Sequence, residues 1–289
     1  MAVRTEDPEV QWRRLRTELR RLREAAGMRQ QDVAEAMLWS PSKLIRIEKG
    51  SVRVHPNDVR LLLAHYAVAE TERDELVVLA MGARHDRWAD LRPFHSDSWL
   101  SYLGFEASAS TIRNYEAVYV PGLLQTEAYA MSVFRVDEVA NDIAEKRWEG
   151  RQQRQELHDR EDPPAMSFVV DEAAIRRMVG GPQAMQRQWR RLRELSDQPH
   201  VTFQVLPFDA GMYRSMGRSF ILLELPDPTD PDIVYLEDET GGTVTRDSVD
   251  ATAFYADVFL AQVKAAMSPE ATRDLLDRLI ASAEAEGAA

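Results

Sequence analysis

The stretch LRRLREAAGMRQQDVAEAMLWSPSKLIRIEKG, residues 19–50, decides how the first part of the chain folds. Upstream of Gly27, Trp12, Leu15, Leu19, Leu22 and Ala26 recur at steps of three and four, which puts them on one face of a helix from Gln11 to Ala26. Arg13, Arg14, Arg16, Arg20, Arg21 and Arg23 occupy its other sides. Gly27 supplies a residue that enters the left-handed region past a helix end without a Cβ penalty. A second, short helix is predicted from Arg29 to Met37, with Val33, Ala34 and Met37 inward. Ser40 as N-cap and Pro41 at the first helical position start a third, which stops at Gly50. Two more helical patterns, Asn57–Tyr66 and Glu70–Met81, complete a five-helix unit over residues 1–81.

Two short helices joined by a three- or four-residue turn can hold the second away from the body, so that its first side chains reach base edges in the major groove. The run resembles the helix-turn-helix of the phage-repressor (XRE) class. That resemblance implies contact with double-stranded DNA, with Gln30 bracing a phosphate and steadying the recognition helix. Ser42, Lys43 and Arg46 fall on the outward face of that helix. Arg46 can donate two bonds to guanine O6 and N7, worth about 1–3 kcal/mol of discrimination. Ser42 would meet a base or a phosphate, Lys43 a phosphate, and Pro41 and the Arg53 region the DNA backbone. Leu44 and Ile47 point inward, and Glu48 pairs with Arg23 as a structural ion pair, a contact that contributes about 0–1 kcal/mol near a surface. The sequence departs from the pattern twice. Leu38 stands at the turn where the class favours glycine, and Ile45 stands where a polar residue is usual, to meet either a thymine methyl or a second subunit.

Composition is consistent with a basic reader on an acidic body. The 289-residue chain has a net charge of -12. Residues 1–60 carry 13 Arg and Lys against 9 Asp and Glu, net +4, which leaves 23 against 39, net -16, for the rest. There is no cysteine, which excludes disulfides, thiolate nucleophiles and Cys-bound zinc and suits a reducing compartment. The first twenty residues hold no apolar signal core, and no stretch approaches the ~18–20 apolar residues of a membrane span. The expectation is a cytoplasmic protein with no membrane association.

Residues 82–98, with Pro93 and mixed charges, are predicted as a linker to a second domain over 99–289. There, helical patterns at Thr126–Val139 and Asn141–Arg160 precede a strand at Met166–Val170 and helices at Asp171–Val179 and on to Leu195. Strands are predicted at Val201–Val205, Phe220–Leu225 and Ile233–Glu237, and closing helices at Ser248–Ala266 and Pro269–Ala283. The fold class expected is α+β: an all-α five-helix domain, then a mixed α/β domain with a small sheet flanked by helices.

This second part has its own resemblance. Ile112-Arg113-Asn114-Tyr115-Glu116, Val120-Pro121-Gly122-Leu123-Leu124-Gln125-Thr126, Ile175-Arg176 with Val179-Gly180-Gly181, Val205-Leu206-Pro207, Ala210-Gly211, Gly217 with Phe220, and Val234-Tyr235-Leu236-Glu237 resemble the large C-terminal domain of a family of actinobacterial regulators. The resemblance implies transcriptional control and a small partner protein encoded nearby, and some members are antitoxin-like. A homodimer on a two-fold-related operator is expected.

No motif in the sequence points to an enzyme, a cofactor or a metal. The six histidines show no metal spacing, and no phosphate-cradling glycine loop or nucleophile elbow occurs. Asp227, Asp230 and Asp232 with Glu237, Asp238 and Glu239 read as a solvated loop. The segment Phe208–Gly217 combines glycines with Met212, Tyr213 and Met216; it reads either as a binding loop for a ligand or partner, or as methionines filling a core edge. Pro121, Gly122 and Leu123 form an apolar turn that either lines a pocket or packs inside.

Overall fold

A computed structural model describes residues 7–84, 88–136, 139–237, 243–246 and 249–287. The chain divides into two compact units, residues 1–89 and 90–289.

The first unit is five helices. Asp7 caps α1 (Pro8–Ala25) by accepting from Glu9 N at 3.0 Å, with Pro8 at the first helical position. It is followed by α2 (Gln30–Ala36), α3 (Pro41–Glu48), α4 (Pro56–His65) and α5 (Glu70–Gly82). One core collects the face of α1 read from the sequence, Trp12, Leu15 and Leu19, with Val33 and Ala34 of α2, Leu44 and Ile47 of α3, Leu62 of α4 and Val77 of α5. Burying these apolar faces against one another is what stabilises helices too short to persist alone.

The second unit is α+β. Among the described residues, six strands form one sheet in the order β3-β2-β1-β4-β5-β6: β1 (Thr111–Glu116), β2 (Ala165–Asp171), β3 (Val201–Leu206), β4 (Phe220–Glu224), β5 (Ile233–Glu237) and β6 (Thr243–Arg246). The pairs β1·β2 and β2·β3 are parallel, and the remaining pairs antiparallel. Parallel neighbours need helical crossovers. They are α7 (Glu127–Val136) and α8 (Asn141–Gln155) between β1 and β2, then α9 (Glu172–Arg176) and α10 (Pro182–Leu195) between β2 and β3. Tyr255, Val258 and Phe259 of α11 (Val249–Ala265) pack on one sheet face, against Tyr115, Phe220, Leu222 and Val234. On the other, Tyr102 of α6 (Asp97–Ser108) meets Tyr235, ring centroids 4.1 Å apart. The closing helix α12 (Pro269–Gly287) packs along α10 and β3.

Several elements differ from the sequence-based prediction. Residues 89–94, expected as linker, form a 3₁₀ turn whose Leu91 is buried beside Gly150, and α6, which begins inside the expected linker at Asp97, was not predicted. The strands β1 and β6 were not predicted. In β1 the buried pair Ile112 and Tyr115 is interrupted by polar Arg113 and Asn114, whose partners come from a strand over a hundred residues away. Asn114 Nδ2 donates to Phe220 O at 3.2 Å, and Arg113 pairs with Glu224. Only four residues long, β6 carries too short a pattern to read. Gly241, Gly242 and His85 lie outside the described residues.

Candidate nucleic-acid interface

The turn between α2 and α3 is built on an unusual residue. Trp39 N donates to Ala34 O at 2.8 Å and Leu38 N to Glu35 O at 3.0 Å, the paired bonds of a Schellman ending. That ending requires a left-handed residue, and Leu38 takes it with φ 55° while its side chain stays 94% exposed. The departure from glycine therefore leaves the turn geometry intact at a steric cost of about 1–2 kcal/mol. Trp39 packs onto the core and sets the entry to α3.

Several contacts clamp α3 to α1. Leu44 and Ile47 are buried. Arg23 Nε donates to Glu48 Oε1 at 2.6 Å and Nη2 to Oε2 at 2.9 Å. Their side chains are 9% and 3% exposed, so this is a buried pair rather than the surface pair expected. The hydrogen bond to Glu48 holds the Arg23 guanidinium pKa above its ordinary value, so the charge is permanent. Gln30 Nε2 donates to the same carboxylate, Glu48 Oε2, at 2.7 Å. The end of α3 is fixed by Trp12 Nε1 donating to Gly50 O at 3.2 Å and Arg16 Nη1 to Lys49 O at 3.0 Å.

The outward face carries the remaining candidates. Pro41, Ser42 and Arg46 are exposed. Ser42 Oγ lies 3.1 Å from Ser40 Oγ, and Arg46 Nε donates to Ser42 O at 3.3 Å, leaving its two terminal nitrogens without an ion pair among the described residues. Lys43 lies with Nζ 3.7 Å from the Trp39 ring centroid and 3.2 Å from Asp58 Oδ2. Ile45 is half-buried. Arg53 is placed differently from the expectation: its guanidinium reaches Glu9 Oε2 at 2.5 Å and the carbonyl of Ala83, tying the chain start to the end of α5. Most arginines of α1 are likewise engaged within the domain, Arg20 with Glu24 and Arg21 with Glu18.

A recess of about 340 Å³ opens where α1 meets the start of α2 and the end of α3, lined by Arg20, Arg23, Gln30, Glu48 and Lys49. Lys49 at this site escaped the sequence reading, and Arg20 was read only as one of the six arginines of the first helix. Their signal was their place one turn before Arg23 and immediately after Glu48.

In the second unit, the apolar turn at 120–124 is interior. Pro121 and Leu123 are buried, Gly122 O accepts from Gln155 Nε2 at 3.0 Å, and Leu123 O lies 3.2 Å from His158 Nε2. The 208–217 segment is divided. Tyr213 Oη donates to Asp171 Oδ2 at 2.5 Å and lies 2.7 Å from Tyr115 Oη, and burial with these bonds raises its pKa far above ordinary. Met212 and Met216 are 92% and 56% exposed, so they do not fill a core edge. Asp227 closes a local turn by accepting from Thr229 N at 2.9 Å, and the side chains from 237 to 239 lie outside the described residues. Among the described residues no three His, Asp or Glu side chains group as a metal site, and no helix is long and apolar enough to cross a membrane.

A helical bundle that clamps one side of its third helix and leaves Ser42 and Arg46 exposed on the other has the arrangement of a helix-turn-helix domain. The profile of a helix-turn-helix domain matches residues 14–76, and that of a domain of unknown function, DUF5753, matches residues 99–278. The chain belongs to the DUF5753 family, with a helix-turn-helix regulator domain at its head. No curated protein and no solved structure matches it.

Proposed function

We propose that the protein is a cytoplasmic, sequence-specific transcriptional regulator of the phage-repressor class that binds a two-fold-related operator as a homodimer. The observation that carries this is the two-sided α3, whose inner side is fixed by Leu44, Ile47 and Glu48 while Arg46 presents a free guanidinium edge outward. In this reading Arg46 reads guanine, Ser42 meets a base or phosphate, and Lys43 lends charge to a phosphate. The recess edged by Arg20, Lys49 and Gln30 receives a further phosphate, and Arg53 serves the fold. Half-sites lie about one helical turn, ~34 Å, apart. The chemistry asked of the chain is recognition alone, without cofactor or catalytic step.

The C-terminal domain takes the signal. The exposed Met212 and Met216, on a segment anchored through Tyr213, support capture of a small partner protein, because methionines adapt to varied apolar surfaces. An antitoxin-like role, with DNA binding used for autoregulation, is the second reading that this loop favours. Selection of binding sites from random duplexes tests the regulator reading. Enrichment of a two-fold-related sequence is the expected result, and equal affinity for selected and scrambled duplexes would overturn it.

A further inference from the structure

The helix α11 is apolar nearly all round. Its inner face, Tyr255, Val258 and Phe259, is buried on the sheet, yet Phe254 and Leu260 on the opposite side are 44% and 54% exposed, with Ala253, Ala261 and Ala265 exposed beside them. A helix of this composition is ordinarily covered on both sides. The exposed face also carries two opposite charges, Asp257 and Lys264, neither with an ion pair among the described residues.

We propose that this face is covered by α11 of a second copy of the chain, packed antiparallel across a two-fold axis between Leu260 and Ala261. Asp257 and Lys264 are seven residues apart, about 10.5 Å along the helix and two turns on, so both lie on one face but too far apart to pair with each other. Antiparallel pairing about their midpoint sets Asp257 of each copy opposite Lys264 of the other, twice by symmetry, and brings the Leu260 side chains together at the axis. A parallel pairing would instead oppose Asp257 to Asp257 and Lys264 to Lys264. The charges thus select both the occupant and its direction. The inference concerns the protein free of DNA, and it goes beyond the operator reading, which asks for two copies but names no surface.

Sedimentation velocity of the full chain over a concentration series tests it. The wild type should run at twice the 33.0 kDa chain mass. Asp257→Lys and Lys264→Asp should each weaken the dimer by about tenfold or more, since each turns two attractions into two repulsions. The double variant should return to within about threefold of wild type, and Leu260→Glu should be monomeric. Recovery in the double variant keeps the result decisive even where one single variant melts early. A monomeric wild type, a dimer indifferent to the single swaps, or a double variant that stays monomeric overturns the proposal. A DNA-binding failure would leave these masses unchanged, so the two readings fail separately.

Discussion

Arg46 and Lys43 lie three residues apart and should behave differently when removed. Arg46→Ala deletes a donor fork, so discrimination should fall by about 1–3 kcal/mol at one operator position while the other positions hold. Lys43→Ala should weaken selected and scrambled duplexes alike and lower the salt dependence by about one phosphate contact. Competition binding against single-base operator variants separates the two. Glu48 carries a different load. Arg23 and Gln30 both donate to its carboxylate, so Glu48→Gln leaves the buried guanidinium unneutralised and should destabilise the protein by about 3–5 kcal/mol in urea melts. His95 supplies a pH signature. Burial first, then Arg147, Arg151 and Arg154, push its pKa down to about 4 from an ordinary 6.5. A histidine depressed on folding stabilises the native state above pH 6.5, and that contribution is lost as pH falls toward 4. His95→Phe keeps the stack on Trp99, whose ring centroid is 3.6 Å away, and removes the titration. Its thermal midpoint should therefore fall less between pH 6.5 and 4 than that of the wild type.

Among the elements, the turn before α3 and the strand β1 show opposite limits of sequence reading. The turn was legible only in place: the helix-turn-helix resemblance puts glycine at 38, so Leu38 reads as a departure, and the structure shows that Leu38 nevertheless takes the left-handed conformation, φ 55°, that the Schellman ending requires. Leu38→Gly should stabilise the protein by about 0.5–1 kcal/mol, the relief of left-handed strain less the added chain entropy, since the exposed side chain gives up little burial. A small upward shift of the thermal midpoint, without change in DNA affinity, is the expected measurement. The neighbour of β4 at the centre of the sheet was not legible, because what makes Arg113 and Asn114 tolerable in a strand is Glu224 and Phe220 O, brought alongside only by folding. The same holds for Pro121 and Leu123. An apolar turn reads alike whether it lines a pocket or fills a core, and the packing of α8 decides for the core.

Across the whole molecule, the net -12 combines a +4 head with a -16 remainder. Only the head has cause to approach phosphate, and the acidic remainder should repel DNA outside its footprint. Binding should weaken about a hundredfold or more between 50 and 200 mM salt, the slope counting phosphates neutralised by residues such as Lys43, Lys49 and Arg20. Fluorescence anisotropy at several salt concentrations measures it. The sequence by itself determined the existence and order of the five helices, the ends marked by Gly27, Ser40 and Gly50, and the inward face of α3, because these depend on spacing within a few turns of chain. The tertiary structure alone decided that Arg23 and Glu48 are buried together, that Arg53 turns to its own domain and that Arg20 and Lys49 edge one recess. It also decided which side of α11 is left bare. Each of these depends on which distant segments exclude water from a side chain, and local pattern carries no record of that.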